Sequence, residues 1–71
     1  MSLAEDNLTL LKLSEVKNRV SLGSSTIYRY IDAGRFPRPR QVGRGNVRWL
    51  EHEINDWIRG LPVNDKEMPR P

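Results

Sequence analysis

The chain has no cysteine and a single histidine, His52. Without thiols there is no disulfide and no thiolate metal site, and one imidazole cannot complete a structural zinc centre. No apolar run approaches the ~18 residues of a membrane span, and no basic-then-apolar leader opens the sequence. Catalytic ingredients are missing too. His52 and Glu53 adjoin no serine or cysteine nucleophile, and no glycine-rich phosphate loop is present. The expectation is a non-enzymatic chain with no cofactor, no metal and no membrane partner, placed in a reducing, cytoplasmic setting. At 71 residues it holds one domain at most. A domain of this size buries only about 60% of its unfolded surface, so its core is marginal. Trp49 and Trp57 are therefore assigned to that core, where indoles supply the most burial.

Acidic residues are absent from one stretch in particular. Residues 35–49 read R-F-P-R-P-R-Q-V-G-R-G-N-V-R-W and hold Arg35, Arg38, Arg40, Arg44 and Arg48. Residues 1–34 are net neutral and residues 49–71 are net negative, so the formal charge of +3 is concentrated in this one segment. Such clustering is the footprint of a surface that meets a polyanion, although a charge run by itself also describes a solvated loop.

The layout around the segment narrows the choice. Residues 1–7 are polar and expected to fray, and Leu8–Leu13 has strand character. Ser14 is placed to cap a first helix over about 14–20, with Leu13, Val16 and Val20 as its apolar stripe. Ser21-Leu22-Gly23-Ser24 interrupts the pattern. A second helix then starts from a cap at Gly23 or Ser24 and runs to Ala33, with Gly34 free to close it at positive φ. Ile27, Tyr30 and Ile31 share its inward face, while Ser25, Tyr28, Arg29 and Asp32 share the outward one.

Pro37 and Pro39 bar the helix from continuing. Alternating residues around Gly43-Arg44-Gly45-Asn46 predict a β-hairpin with Val42, Val47 and Trp49 facing the core. Gln41 and Arg48 then point away, Arg44 sits at the tip, and Asn46 belongs to the turn. A last helix carries Leu50, Ile54, Trp57, Ile58 and Leu61 on one stripe and ends at Gly60 and Pro62. Residues 62–71 have little to bury and are expected to be a disordered tail.

The expected fold is thus mainly α with a small β-hairpin. It is a winged helix-turn-helix of three short helices plus a wing, occupying residues 8–61. In that arrangement the second helix enters the major groove of double-stranded DNA and the hairpin reaches the neighbouring phosphates. The candidate recognition residues are Ser24, Ser25, Thr26, Tyr28 and Arg29; the candidate wing residues are Arg38, Arg40, Gln41, Arg44, Asn46 and Arg48. A winged-helix module that docks an acidic protein is the competing expectation.

Four motifs, S-T-I-Y-R-Y-I (25–31), R-F-P-R-P (35–39), V-R-W (47–49) and E-I-N-D-W-I (53–58), together resemble the AlpA family of phage and prophage regulators. That family is related to excisionases and to the DNA-binding domains of MerR-type activators, and the likeness runs from about Leu10 to Gly60. The resemblance implies control of integrase or excision genes, or direct action as an excisionase, at the bacterial nucleoid. Further copies of the chain on repeated sites, an integrase or RNA polymerase are the partners it suggests. By the same likeness Ser25, Thr26, Tyr28 and Arg29 lie on the recognition helix and Arg44 and Arg48 in the wing. Two positions depart from the family pattern. Ser21-Leu22-Gly23 stands where glycine, an apolar residue and serine are usual, and Arg40 stands where an aliphatic side chain is common.

Overall fold

A computed structural model describes residues 8–64. The frayed start expected for residues 1–7 and most of the expected tail, 65–71, lie outside the described residues; residues 62–64 are exposed and outside any helix or strand. The elements follow in the order β1 (Leu10–Leu11), α1 (Leu13–Val20), α2 (Ser24–Asp32), β2 (Arg40–Gly43), β3 (Asn46–Leu50) and α3 (Glu51–Arg59). The three strands form one antiparallel sheet in the order β1-β3-β2. This is a winged helix-turn-helix, with β2 and β3 as the wing and β1 as an added edge strand. No helix among the described residues is long and apolar enough to cross a membrane.

The two first helices form where their apolar positions recur at helical spacing, and the chain between them is three residues long. The cap of α1 is Lys12 rather than Ser14. The carboxylate of Glu15 accepts the backbone N–H of Lys12 at 2.7 Å, while the Lys12 carbonyl accepts from Glu15 and Val16. A glutamate at the third helical position thus does from inside the helix what a serine would do from its start. Ser21 ends α1 in the left-handed conformation, at φ 57° and ψ 41°, and Gly23, extended, caps α2. Helix α2 closes at Gly34, φ 73°, with paired bonds from Arg35 N–H to the Tyr30 carbonyl and from Gly34 N–H to the Ile31 carbonyl. Glycine is needed there because an L side chain in this region meets the following carbonyl.

The core is built from Leu11, Val16, Ile27, Ile31, Phe36, Trp49 and Ile54, so every element except β2 contributes to it. Trp49 is fully buried, whereas Trp57 is half-buried against the core. Phe36, not among the residues assigned to the core from the sequence, is 6% exposed and belongs to it. Its flanking prolines leave no periodicity from which its burial could be read.

The wing corrects three expectations. Val42 is 47% exposed and does not face the core. Strand β2 pairs Arg40 with Arg48 and Gln41 with Val47, and directly opposed residues share a face of the sheet. Gln41 therefore lies on the face of Val47, while Val42, at the irregularity, has no partner on β3. The register then slips between Gln41 and Gly43, so alternation is broken at the very residue assigned inward. Asn46 is the first residue of β3, paired with Gly43, and the turn corners are Arg44 and Gly45, the latter at φ 77°. Leu50 ends β3, opposite Leu10, and caps α3 instead of sitting in it. Strand runs into helix here without a loop, so the helical stripe extends by one residue over the strand. At the other end of that stripe, Leu61 lies beyond the helix and is 48% exposed.

Candidate nucleic-acid interface

The residues expected to meet DNA fall on two adjoining surfaces. On α2, Ser25, Tyr28 and Arg29 are exposed, and Ser24 and Thr26 are half-buried near the helix start. Ser24 is the first helical residue after the Gly23 cap, and no side chain caps this end. The first-turn N–H groups of α2 thus have no side-chain acceptor of their own, an arrangement that favours an incoming anion.

Tyr28 links this helix to the wing. Its ring, on a residue 41% exposed, meets Trp49 of β3 edge-on with centroids 6.3 Å apart. Because Trp49 is immobile in the core, the tyrosine has a fixed base and an accessible edge. The Trp49 indole N–H also donates to the Pro37 carbonyl at 3.0 Å, which ties the segment between α2 and β2 to the sheet. A second indole, Trp57 of α3, donates to the Arg35 carbonyl at 2.8 Å and packs edge-on against Phe36 at 4.7 Å. The path from the end of α2 to the wing is therefore held at three successive residues, Arg35, Phe36 and Pro37. Without such anchors a proline-rich connection would leave the wing free to sample many positions relative to α2.

The wing residues differ in what their side chains already hold. Arg38 and Arg44 are exposed, Arg44 at the tip, and neither has a carboxylate partner among the described residues. Arg48 is half-buried and bends its guanidinium onto the Val47 carbonyl at 2.8 Å. Gln41 folds back, its amide donating to the Gly43 carbonyl at 2.6 Å across the register slip. Asn46 is exposed beside the turn. Arg40 is engaged: its Nη2 lies 2.8 Å from Oε2 of Glu53 on α3.

Across the described residues the ion pairs are Arg19–Glu51, Arg40–Glu53 and Arg59–Asp56. Arg29, Arg35, Arg38, Arg44 and Arg48 form none. Arg35, which the sequence reading left out of the candidate site, has its guanidinium carbon 5.9 Å from the centre of the Tyr30 ring. Arg35, Arg38 and Arg40 line one open cleft together with Glu53, Asp56 and Trp57. The acids of α3 border the arginine segment on this side, a juxtaposition with no local sequence signal because its partners are far apart in the chain. What the arrangement can do chemically is bind an extended anion: unpaired guanidiniums on a projecting hairpin stand beside a helix whose first turn is uncapped.

The chain is similar to a phage protein and a bacterial one. The family model for the prophage CP4-57 regulatory protein (AlpA) matches residues 9–60. An uncharacterized protein, ORF88, of Enterobacteria phage P4 is 40% identical over 50 residues, covering 70% of this chain and 57% of the phage protein. This chain thus spans little more than half the length of that relative. The DNA-binding transcriptional activator AlpA of Escherichia coli K12 is 29% identical over 55 residues, covering 69% of this chain and 79% of the activator. No solved structure gives a significant match. The matched span runs from just before β1 to the end of α3, taking in every element described above, and on that basis the chain belongs to the prophage CP4-57 regulatory protein (AlpA) family.

Proposed function

We propose that the chain is a phage-type regulator that binds double-stranded DNA sequence-specifically, with α2 in the major groove and the wing on the flanking backbone. The observation that carries this reading is the set of arginines on and beside the wing that form no ion pair among the described residues, with the wing tied to α2 by the Tyr28–Trp49 contact and the connecting segment fixed by the two indole bonds. The name of the Escherichia coli relative supports it. Ser24, Ser25 and Thr26 sit at the helix start, where groove-facing residues of such motifs approach bases and phosphates. Tyr28 and Arg29 follow one turn on. Arg38, Arg44 and Arg48, with Asn46 at the turn, supply backbone contacts.

A module of this size buries about 600–1,000 Å² on DNA. With four phosphates neutralised by Arg29, Arg38, Arg44 and Arg48, the log–log salt slope is about −3.6, and affinity falls about a hundredfold between 50 and 200 mM salt. One copy is then a weak binder at physiological salt. Further copies on repeated sites, or contact with an integrase or RNA polymerase, would raise occupancy, and the biological output is transcription of integrase or excision genes or direct excision.

Selection from a pool of random duplexes tests the reading. An enriched motif that Arg29→Ala and Arg44→Ala variants bind less well supports it. If both variants bind DNA as the wild type does, the module instead docks an acidic protein through its wing.

A further inference from the structure

Arg40 and Arg48 are directly opposed on β2 and β3, so two like charges share one face of the wing. Opposed like charges weaken a strand pair. Among the described residues one carboxylate pairs with them, and with Arg40 alone: Glu53 Oε2 lies 2.8 Å from Arg40 Nη2. Glu53 is held in place because it precedes Ile54, which is fully buried, in the first turn of α3. Its side chain is 29% exposed, against 55% for Arg40, so the acid is the better-anchored partner. Among the described residues, the remaining arginines of the segment have no such carboxylate.

We propose that Glu53 is a positioning residue that withholds Arg40 from DNA, ties the base of the wing to α3, and so limits how many phosphates the wing neutralises. This rests on the DNA-binding reading above. The Arg40–Glu53 pair carries no net charge and releases no counterion from the duplex, so it adds nothing to sequence-independent affinity. Occupying one arginine internally keeps the balance of binding on α2, whose contacts can depend on sequence, and away from the wing, whose contacts do not. Glu53 is thereby a determinant of specificity that touches no base.

Salt titration of random-duplex affinity for the wild type, Glu53→Gln and the double variant Arg40→Gln/Glu53→Gln tests this. Freed from its carboxylate, Arg40 takes a phosphate in the single variant. The slope steepens by about 0.9, and the ratio of affinities at 50 and 200 mM salt grows about 3.5-fold. The double variant, which has lost a neutral pair, returns to the wild-type slope. Had the single variant acted merely by removing a negative charge near DNA, the double variant would stay steeper, which overturns the proposal. It is also overturned if Glu53→Gln matches the wild type and the double variant is shallower by about 0.9, since Arg40 then already contacts a phosphate. Wild-type binding with no salt dependence would defeat the DNA-binding reading itself, an outcome distinct from either. The charge swap Arg40→Glu/Glu53→Arg guards against a folding artefact, and it is expected to keep the wild-type slope.

Discussion

Trp57 of α3 donates its indole N–H to the carbonyl of Arg35, 22 residues earlier and just past the end of α2. The ring beside that bond packs on Phe36, so the exit from α2 is fixed by one polar and one apolar contact from the same side chain. Phe36→Ala is expected to cost about 3–5 kcal/mol, since the ring is buried and its neighbours cannot collapse fully into the space. In a chain this short that lowers the thermal midpoint by more than about 12 °C or abolishes the cooperative transition, as circular dichroism melts will show. Trp57→Phe keeps much of the packing and loses the hydrogen bond, with an expected cost of about 0.5–1.5 kcal/mol.

The turn between α1 and α2 holds its serine and its glycine in each other's natural positions. Ser21 occupies the left-handed region at φ 57°, where an L side chain is strained, while Gly23 is extended and caps α2 with no side-chain acceptor. A Cβ at Gly23 would meet no atom within 4 Å. Ser21→Gly is expected to stabilise by about 0.5–1 kcal/mol through relief of the left-handed strain. Gly23→Ser is expected to add a few tenths of a kcal/mol, or about as much again, by accepting a first-turn N–H. Urea denaturation of the single and double variants checks both gains; a loss of stability in Ser21→Gly contradicts this view of the turn.

Val42 is exposed, whereas Val47 is half-buried and packs against the core. Val42→Thr is expected to change stability by no more than about 0.5 kcal/mol, as a surface substitution does. Val47→Thr introduces a hydroxyl where the sheet packs on the core and is expected to cost about 1–2 kcal/mol. Equal costs in thermal melts would restore the inward placement that plain alternation suggests.

That pair also marks where the fold was legible and where it was not. Helices α2 and α3 could be read from the chain because Ile27 with Ile31, and Ile54 with Ile58, recur at helical spacing and each face has one fate. The helix-turn-helix, the wing, its Arg44 tip and the Gly34 closure were legible for the same reason: each depends on local chemistry. The inward or outward sense of Val42 depends on how β2 registers against β3, and one slipped residue reverses it. Phe36 is buried by contacts with α3, not by any local pattern. The engagement of Arg40 has no local signal, because its carboxylate partner, Glu53, lies 13 residues away on another element. The α1 cap falls on Lys12 instead of Ser14 because Glu15, at the third helical position, accepts the Lys12 N–H. In the proposed interface, residue types and rough placement were readable, whereas which arginines are already engaged was decided by tertiary contact.

Arg29 distinguishes base reading from backbone contact. It is exposed on α2 and forms no ion pair among the described residues, so it can take a guanine edge bidentately. Arg29→Ala is expected to cost about 1–3 kcal/mol on a selected site and to relax preference at one base pair. Competition binding with singly substituted duplexes checks this, and equal losses on selected and random DNA would make Arg29 a phosphate contact.

The salt dependence of duplex binding by the wild type and Arg44→Ala tests the central claim most directly. The wing-and-helix interface predicts a slope of about −3.6 for the wild type, shallower by about 0.9 in the variant, with a similar loss on every sequence. Binding that ignores salt, or an Arg44→Ala slope equal to the wild-type value, would contradict it.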